Sequence, residues 1–338
     1  MTGQDQNPVS PLPICDLHCD LSVYMATVDG AAPDRAADIG CAVPFLEAGN
    51  VKFQVMAIYS GEGPEAVPTA VEQAEWIRRL VTESTFPFHL VTTPTELEAA
   101  LQAEQIGVVA AIENASGLVS KDEPLATAWQ RLERITALTG RLIYISLTHF
   151  DENRFGGGND TTVGLKPDGR ALLERLHAQS VAVDLAHASD ALAFDILDFL
   201  TRQGLDVPVM ASHSNFREQF DHPRNLPTEL AQEIVGRGGL IGMNFMRAYI
   251  HPDNPAHLLN HIRHGFETGA GQNLCFGADF FYTRDYPRPD AQPCFYPEHE
   301  HAGRYPELLA ALAPELDPER LAALAYGNVL EFCRRFWG

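Results

Sequence analysis

The stretch ICDLHCD, residues 14–20, is a short apolar run that ends in a histidine and an aspartate. Five other apolar runs also end in one residue that can bind a metal ion: VVAAIE (108–113), YISLTH (144–149), VAVDLAH (181–187), VMASH (209–213) and LCFGAD (274–279). Such residues are useful at the end of a buried strand when a metal ion or a reacting substrate lies beside them. The six runs therefore predict parallel strands that direct polar side chains toward one shared opening.

Strand-like and helix-like patterns alternate along the chain. Short runs rich in β-branched and aromatic residues predict eight strands, at 14–20, 51–59, 108–114, 144–150, 182–187, 209–215, 240–245 and 274–280. Amphipathic periodicity predicts helices at 71–83, 126–140, 168–179, 189–204, 227–239, 255–269 and 317–337, with Asp168 and Ser189 at helix starts. This alternation is typical of an α/β protein with a closed (β/α)8 TIM-like barrel.

A doubly wound open sheet is the alternative fold. It would bind its ligand at a switch-point crevice, usually beside a glycine-rich phosphate loop. The glycines at 156–158 follow a predicted strand but lack the GxGxxG spacing, so we interpret them as part of a flexible loop. No internal repeat stands out, and we expect one barrel domain over 14–338 after a flexible N-terminal segment, 1–13.

Composition limits the partners and the setting of the chain. The net charge of −21 and the lack of a basic stripe argue against nucleic acid as a partner. The N-terminal residues do not resemble a secretory signal, and no apolar stretch approaches the ~18 residues of a membrane span. The six cysteines form no CxxC pair, so we expect neither a disulfide framework nor a structural zinc site. We therefore expect a cytoplasmic setting.

The residues themselves suggest a metal site. His18 and Asp20 are two apart on a predicted strand and so share one face. His187 and His213 follow two consecutive predicted strands, and neutral imidazole is a good ligand for zinc. A pair of metal ions needs a bridging anion, and Glu113 is the best carboxylate available because no lysine ends a central strand.

Eight motifs carry a more specific resemblance, in their order and spacing: DLHCDL (16–21), AIEN (111–114), LTHF (147–150), DLAHAS (184–189), SHSNFR (212–217), DHPRNL (221–226), FGADF (276–280) and YGNVLEF (326–332). With these motifs the chain resembles the renal (membrane) dipeptidase family of zinc metallopeptidases, which has the barrel of the amidohydrolase superfamily. The resemblance covers nearly the whole chain. It implies hydrolysis of dipeptides that have a free C-terminal carboxylate, and it leaves open whether L,D-dipeptides are among them.

The resemblance also implies a set of site residues. It implies two Zn²⁺ ions per chain, one bound by His18 and Asp20 and the other by His187 and His213, with Glu113 as the bridge. A metal-bridged hydroxide would attack the peptide carbonyl. The resemblance implies that His149 stabilises the oxyanion. It also implies that Arg224 binds the substrate carboxylate and that Asp279 transfers a proton.

Several features depart from this pattern or compete with it. Asn114-Ala115 and Phe281-Tyr282 stand where the family often has glycine-containing pairs, and the aromatic segment 281–305 is expected to form a wall or lid over substrate. Two other histidine sets could bind metal, although surface positions or a dimer face are the more usual interpretations: His257, His261 and His264, and His299 with His301. A homodimer therefore remains open.

Two other functions remain alternatives. The first is an amidohydrolase that acts on another small carboxylate-bearing amide, such as an N-acyl amino acid. The second is a non-catalytic metal-binding barrel. The presence of every expected ligand argues against the second, and a metal assay separates it from the enzymes.

Overall fold

The computed structural model describes residues 12–287 and 291–337 of the chain. Nine strands form a parallel sheet: Ile14–Cys19 (β1), Val51–Tyr59 (β2), Phe88–Leu90 (β3), Ile106–Glu113 (β4), Leu142–Ser146 (β5), Ala182–Asp184 (β6), Val209–Ala211 (β7), Leu240–Met243 (β8) and Leu274–Phe276 (β9). Strand β1 pairs with β2 and β9, and β2 pairs with β4, so eight strands close into a barrel. The predicted TIM-like barrel is confirmed.

Strand β3 was not among the eight predicted strands. It has three residues and pairs only with β4, outside the closed ring. The predicted strands around 182–187, 209–215 and 274–280 are shorter than expected, because regular pairing ends at Asp184, Ala211 and Phe276. The polar residues after these strands therefore lie in the loops at the C-terminal end of the barrel, where barrel enzymes place their sites.

The helices pack around the barrel. They are Leu21–Thr27 (α1), Val43–Ala48 (α2), Ala66–Thr82 (α3), Pro94–Ala100 (α4), Ala126–Thr139 (α5), Pro167–Gln179 (α6), Asp190–Gln203 (α7), Thr228–Gly236 (α8), Arg247–Ile250 (α9), His257–Glu267 (α10), Tyr305–Leu312 (α11), Pro318–Ala322 (α12) and Asn328–Phe336 (α13). Each predicted helical segment contains a helix, and the last is split by a π-helical turn at Ala323–Gly327. The helices α1, α2, α4, α9 and α11 were not predicted. No described helix is long and apolar enough to cross a membrane.

The two predicted helix starts have different outcomes. Ser189 caps α7, because its side chain accepts a hydrogen bond from the Leu192 amide at 3.0 Å. Asp168 is not a cap, since α6 begins one residue earlier, at Pro167. Its carboxylate instead pairs with Arg154 at 2.6 Å.

The glycines at 156–158 were interpreted as part of a flexible loop, and the structure shows them buried and closely packed. Gly158 pairs with Ala188 in an isolated bridge. A Cβ atom at Gly158 would lie 2.0 Å from the carbonyl oxygen of His149, so only glycine fits there. The loop after β5 is thereby held against the backbone of His149. Residues 1–11 of the predicted N-terminal segment lie outside the described residues.

A buried carboxylate closes the seam between β1 and β9. Asp16 Oδ1 accepts hydrogen bonds from the amides of His18 and Ala278, at 3.0 and 3.2 Å. Its second oxygen accepts from the Tyr305 hydroxyl. The amide of Asp279 also donates to the His18 carbonyl at 3.1 Å. These bonds fix His18 and Asp279 side by side, although 261 positions separate them in the sequence.

We predict that Asp16→Ala destabilises the fold by about 2–4 kcal/mol, because two amides and one hydroxyl lose their buried acceptor. Urea denaturation of the variant and the parent measures the difference. Asp29→Ala is the matched control, since Asp29 is exposed. Equal stability of the two variants would show that the Asp16 contacts do not hold the seam.

Candidate metal centre

Six of the predicted residues meet at the C-terminal mouth of the barrel. Their ligand atoms form three overlapping groups, each with all atoms within 4.8 Å of one another: His18, Asp20 and Glu113; Glu113, His187 and His213; and His18, His213 and Asp279. His18, Glu113, His187 and His213 are buried and Asp20 and Asp279 are partly exposed, and all six lie at the ends of strands or in the loops that follow them. The third group was not expected, because the sequence analysis gave Asp279 a role in proton transfer only.

Glu113 lies between two sets of histidines. Its Oε2 atom is 3.5 Å from Nε2 of His18. Its Oε1 atom is 2.9 Å from Nε2 of His187 and 3.4 Å from Nε2 of His213. The two carboxylate oxygens therefore face different partners, which is the arrangement that a bridging carboxylate requires.

The cluster contains three carboxyl groups, Asp20, Glu113 and Asp279, whose charged forms repel one another. Burial opposes the charged form of His18, but attraction to Glu113, Asp279 and Asp20 raises the pKa of His18 to about 10. Burial and repulsion from Glu113 raise the pKa of Asp20 well above its usual range. Burial raises the pKa of Asp279 to about 6. A cation at this position lowers the free energy of the cluster, because it offsets the repulsion among three carboxylates.

The donor atoms fit a metal ion. His18 Nε2, His187 Nδ1 and Asp20 Oδ1 are buried and have no hydrogen-bond partner among the described residues. A buried polar atom without a partner costs free energy, and a metal ion would satisfy His18 and Asp20 together. Imidazole and carboxylate donors suit zinc and related divalent ions.

A cavity of about 560 Å³ opens above the cluster. Asp20, Glu113, His187 and Asp279 line its inner part. Its walls include aromatic side chains from several loops: Tyr24, Tyr59, Phe150, Tyr249, Phe281, Tyr282 and Tyr286. Residues 281, 282 and 285–287 thus form part of the wall that was expected from segment 281–305. Arg284 in this wall forms an ion pair at 2.9 Å with Asp38, which lies in the loop between α1 and α2.

His149 lies at the edge of this cavity. Its Nε2 is 4.0 Å from Glu113 Oε1, and its ring makes an edge contact with Tyr59 at 4.8 Å between centroids. Burial lowers the pKa of His149 to about 4, so the ring is neutral at neutral pH. A neutral imidazole here can donate one hydrogen bond into the cavity without adding charge.

Arg224 is buried beside the cluster rather than at the surface. Its Nη2 lies 3.2 Å from the His213 carbonyl oxygen and 3.3 Å from Nε2 of His187, and its Nη1 donates to the Ala186 carbonyl. The guanidinium pairs with no carboxylate among residues 12–287 and 291–337, and its Nε atom has no partner there. A buried cation of this kind favours an anionic ligand.

The sequence analysis did not identify the residues that support the cluster. The Tyr144 hydroxyl is 2.7 Å from Nδ1 of His18, and the Ser212 hydroxyl is 2.7 Å from Nδ1 of His213. Asn244 Nδ2 donates to Asp279 at 2.9 Å. Tyr144 and Ser212 lie within the apolar runs that end in His149 and His213, so a polar group inside a buried strand was the signal available.

The competing histidine sets have structural contacts instead. His261 is buried and binds the Phe216 amide at 3.2 Å and the Ile250 carbonyl at 3.1 Å, so the three helix histidines do not form one surface stripe. His299 was expected to face solvent, but it is buried and contacts the Pro255 carbonyl at 3.2 Å. His301 stacks on Phe45. Among the described residues, the metal-type groups lie only at the barrel mouth.

A parallel (β/α)8 barrel with a histidine–carboxylate cluster at its mouth is the architecture of barrel metallohydrolases. The sequence profile of the membrane dipeptidase family, peptidase family M19, matches residues 6–336. The chain belongs to this family. Membership places it among the metallopeptidases, which hydrolyse peptide bonds, and confirms the family that the motifs indicated.

Individual proteins agree with this assignment. An uncharacterised dipeptidase of Schizosaccharomyces pombe is 29% identical over 197 residues, which are 55% of this chain and 45% of the yeast protein. The match thus spans less than half the length of that relative. Two solved structures have the same fold: a metallopeptidase described as dipeptidase AC (TM-score 0.79, 20% identity, 97% of this chain and 99% of that chain) and a metallopeptidase from Rhodobacter sphaeroides (TM-score 0.78, 18% identity, 97% and 100%). The Rhodobacter structure holds a phosphinate mimic of the dipeptide L-Ala-D-Ala.

We predict that Glu113→Ala strongly reduces bound divalent metal at every position of the cluster, because both oxygens of Glu113 face ligand histidines. Elemental analysis of purified protein measures metal per chain. Glu62→Ala is the matched control, since Glu62 contacts Asn114 and Ser116 next to the cluster but belongs to none of the three groups. Parental metal content in the Glu113 variant would contradict the bridging role.

Proposed function

We propose that this protein is a dinuclear zinc dipeptidase that hydrolyses dipeptides with a free C-terminal carboxylate, L,D-dipeptides included. The observation that carries the proposal is the position of Glu113, with one oxygen toward His18 and the other toward His187 and His213. Family membership supports the reaction class.

Two of the three overlapping groups share Glu113 and would correspond to the two ions. His18 and Asp20 would hold one ion, His187 and His213 the other, and Glu113 would contact both. When bound, a zinc pair supplies a water molecule activated at neutral pH and polarises the scissile carbonyl. Nitrogen and carboxylate oxygen donors are the usual zinc ligands, which is why zinc is the ion that we propose.

Arg224 would recognise the C-terminal carboxylate of the substrate. Its buried guanidinium has no acidic partner among the described residues, and it lies 3.3 Å from His187 and over the ring of Tyr249, which lines the cavity. A planar guanidinium matches a carboxylate in a two-point contact. This contact would place the scissile bond beside the cluster.

Two further residues would act on the reacting groups. The neutral ring of His149 lines the cavity and would donate a hydrogen bond to the carbonyl oxygen as negative charge develops there. Asp279 also lines the cavity, and its Oδ1 lies 3.7 Å from Nε2 of His18. Its carboxylate would take a proton from water and deliver it to the leaving amine.

A substrate panel tests the proposal. Purified protein is assayed with L,L-dipeptides, L,D-dipeptides and N-acetyl amino acids, each with and without a chelator. We expect chelator-sensitive cleavage of dipeptides and slower cleavage of the acyl amino acids. Faster cleavage of acyl amino acids would support the alternative amidohydrolase, and no cleavage by zinc-loaded protein would contradict both.

We predict that Asp279→Asn retains bound metal but loses about 10²–10⁴-fold in turnover, because the amide keeps the shape of the carboxylate and cannot transfer a proton. Steady-state kinetics and elemental analysis are performed on the same preparation. Loss of metal would make Asp279 a ligand instead, and turnover within a few-fold of the parent would exclude both roles.

We predict that amidation of the substrate carboxylate costs the parent enzyme about 1.5–3 kcal/mol in kcat/KM, the scale of a hydrogen bond to a charged group. Arg224→Met should lower kcat/KM for the dipeptide to the value for its amide. Arg224→Lys should not restore full activity, because lysine cannot make the two-point contact.

The control for this comparison is Arg217→Met, because Arg217 lies on the same loop but pairs with Asp190 at 2.6 Å. Its preference for the free carboxylate should equal that of the parent. Carboxylate recognition by Arg224 would be wrong if Arg224→Met kept the parental preference.

A further inference from the structure

We propose that Tyr144 and Ser212 are positioning residues that set the tautomers of His18 and His213, so that the Nε2 lone pair of each ring faces the metal cluster. The inference rests on the proposed function, since it concerns how the chain presents its ligands. It is carried by hydrogen bonds on the far side of both rings from the cluster.

The Tyr144 contacts specify where each proton lies. The phenol oxygen is 2.7 Å from Nδ1 of His18 and 3.1 Å from the Leu17 carbonyl oxygen. A carbonyl can only accept, so the phenol proton is directed to Leu17. The phenol oxygen therefore accepts from His18, which places a proton on Nδ1.

The Ser212 contacts repeat this logic at His213. Its hydroxyl oxygen lies 2.9 Å from Asp184 Oδ2 and 2.7 Å from Nδ1 of His213. The carboxylate also accepts from the Ser212 amide and the Ser146 hydroxyl, each at 2.7 Å. Ser212 has one hydroxyl proton, and the carboxylate takes it. The serine oxygen then accepts from His213, which again places the ring proton on Nδ1.

The two arrangements leave the same atom of each ring available. With the proton on Nδ1, the Nε2 atom carries the lone pair, and Nε2 is the atom that lies close to Glu113 in both histidines. A histidine that ligates a metal through one nitrogen is oriented by the hydrogen bond of the other. His187 differs, because its Nδ1 has no partner among the described residues. The support is therefore specific to two of the three cluster histidines.

Two matched pairs of variants test the inference. Tyr144→Phe removes the acceptor of His18, whereas Tyr296→Phe removes a phenol that donates to the His251 carbonyl and contacts no cluster residue. Ser212→Ala removes the acceptor of His213, whereas Ser146→Ala removes a hydroxyl that binds Asp184 but no ligand histidine. Circular dichroism establishes that each variant is folded before any comparison is made.

The first readout is zinc affinity, measured by competition with a chromophoric chelator. We expect Tyr144→Phe and Ser212→Ala to lose about 10–100-fold in zinc affinity, and each control to stay within a few-fold of the parent. Parental affinity in both test variants, or equal losses in test and control, would overturn the inference.

The second readout needs no variant of the supporting residues. Nitrogen-15 NMR of zinc-loaded, histidine-labelled protein shows which ring nitrogen carries the proton, with signals assigned from His18→Gln and His213→Gln. We expect Nδ1–H for both rings, and Nε2–H in either would contradict the inference. Failure of the parent to bind zinc would overturn the proposed function. Nε2–H in a parent that does bind zinc would overturn only this inference, so the two failures are distinguishable.

Discussion

The main electrostatic constraint on the site is the repulsion among three carboxylates that surround the buried side chain of His18. Asp20, Glu113 and Asp279 each lie within 3.8 Å of the Nε2 atom of His18. Positive charge offsets this repulsion, and attraction to the carboxylates raises the pKa of His18 to about 10, which favours a proton on its ring. Divalent ions would replace that proton and satisfy the unpartnered Nε2 of His18 and Oδ1 of Asp20 at the same time.

The rest of the fold holds these groups at short range. Asp16 closes the seam between β1 and β9 and so brings His18 to Asp279. The loop of glycines at 156–158 packs on the backbone of His149. The hydroxyl groups of Tyr144 and Ser212 contact Nδ1 of His18 and His213 and would orient these two rings. Preorganisation of this kind is what a barrel provides, since rigid strands end at a common opening and the loops supply the chemistry.

Much of this could be predicted from the sequence, because apolar runs that end in single polar residues encode both the strands and the cluster. Other features depend on contacts that no local pattern reports. Arg224 lies in a polar, proline-containing loop, yet its head is buried by side chains distant in sequence. His261 and His299 are buried for the same reason. The pairing of β1 with β2 shifts register between Asp16 and Cys19, where Asp16 accepts a hydrogen bond from the His18 amide. No sequence pattern predicts this shift.

The most direct test of the central claim is anomalous X-ray diffraction at the zinc absorption edge, from crystals of the zinc-loaded protein. The account predicts two peaks per chain, one beside Oε2 of Glu113 with His18 and one beside Oε1 with His187 and His213. A single peak, or two peaks of which Glu113 contacts only one, would contradict the dinuclear centre.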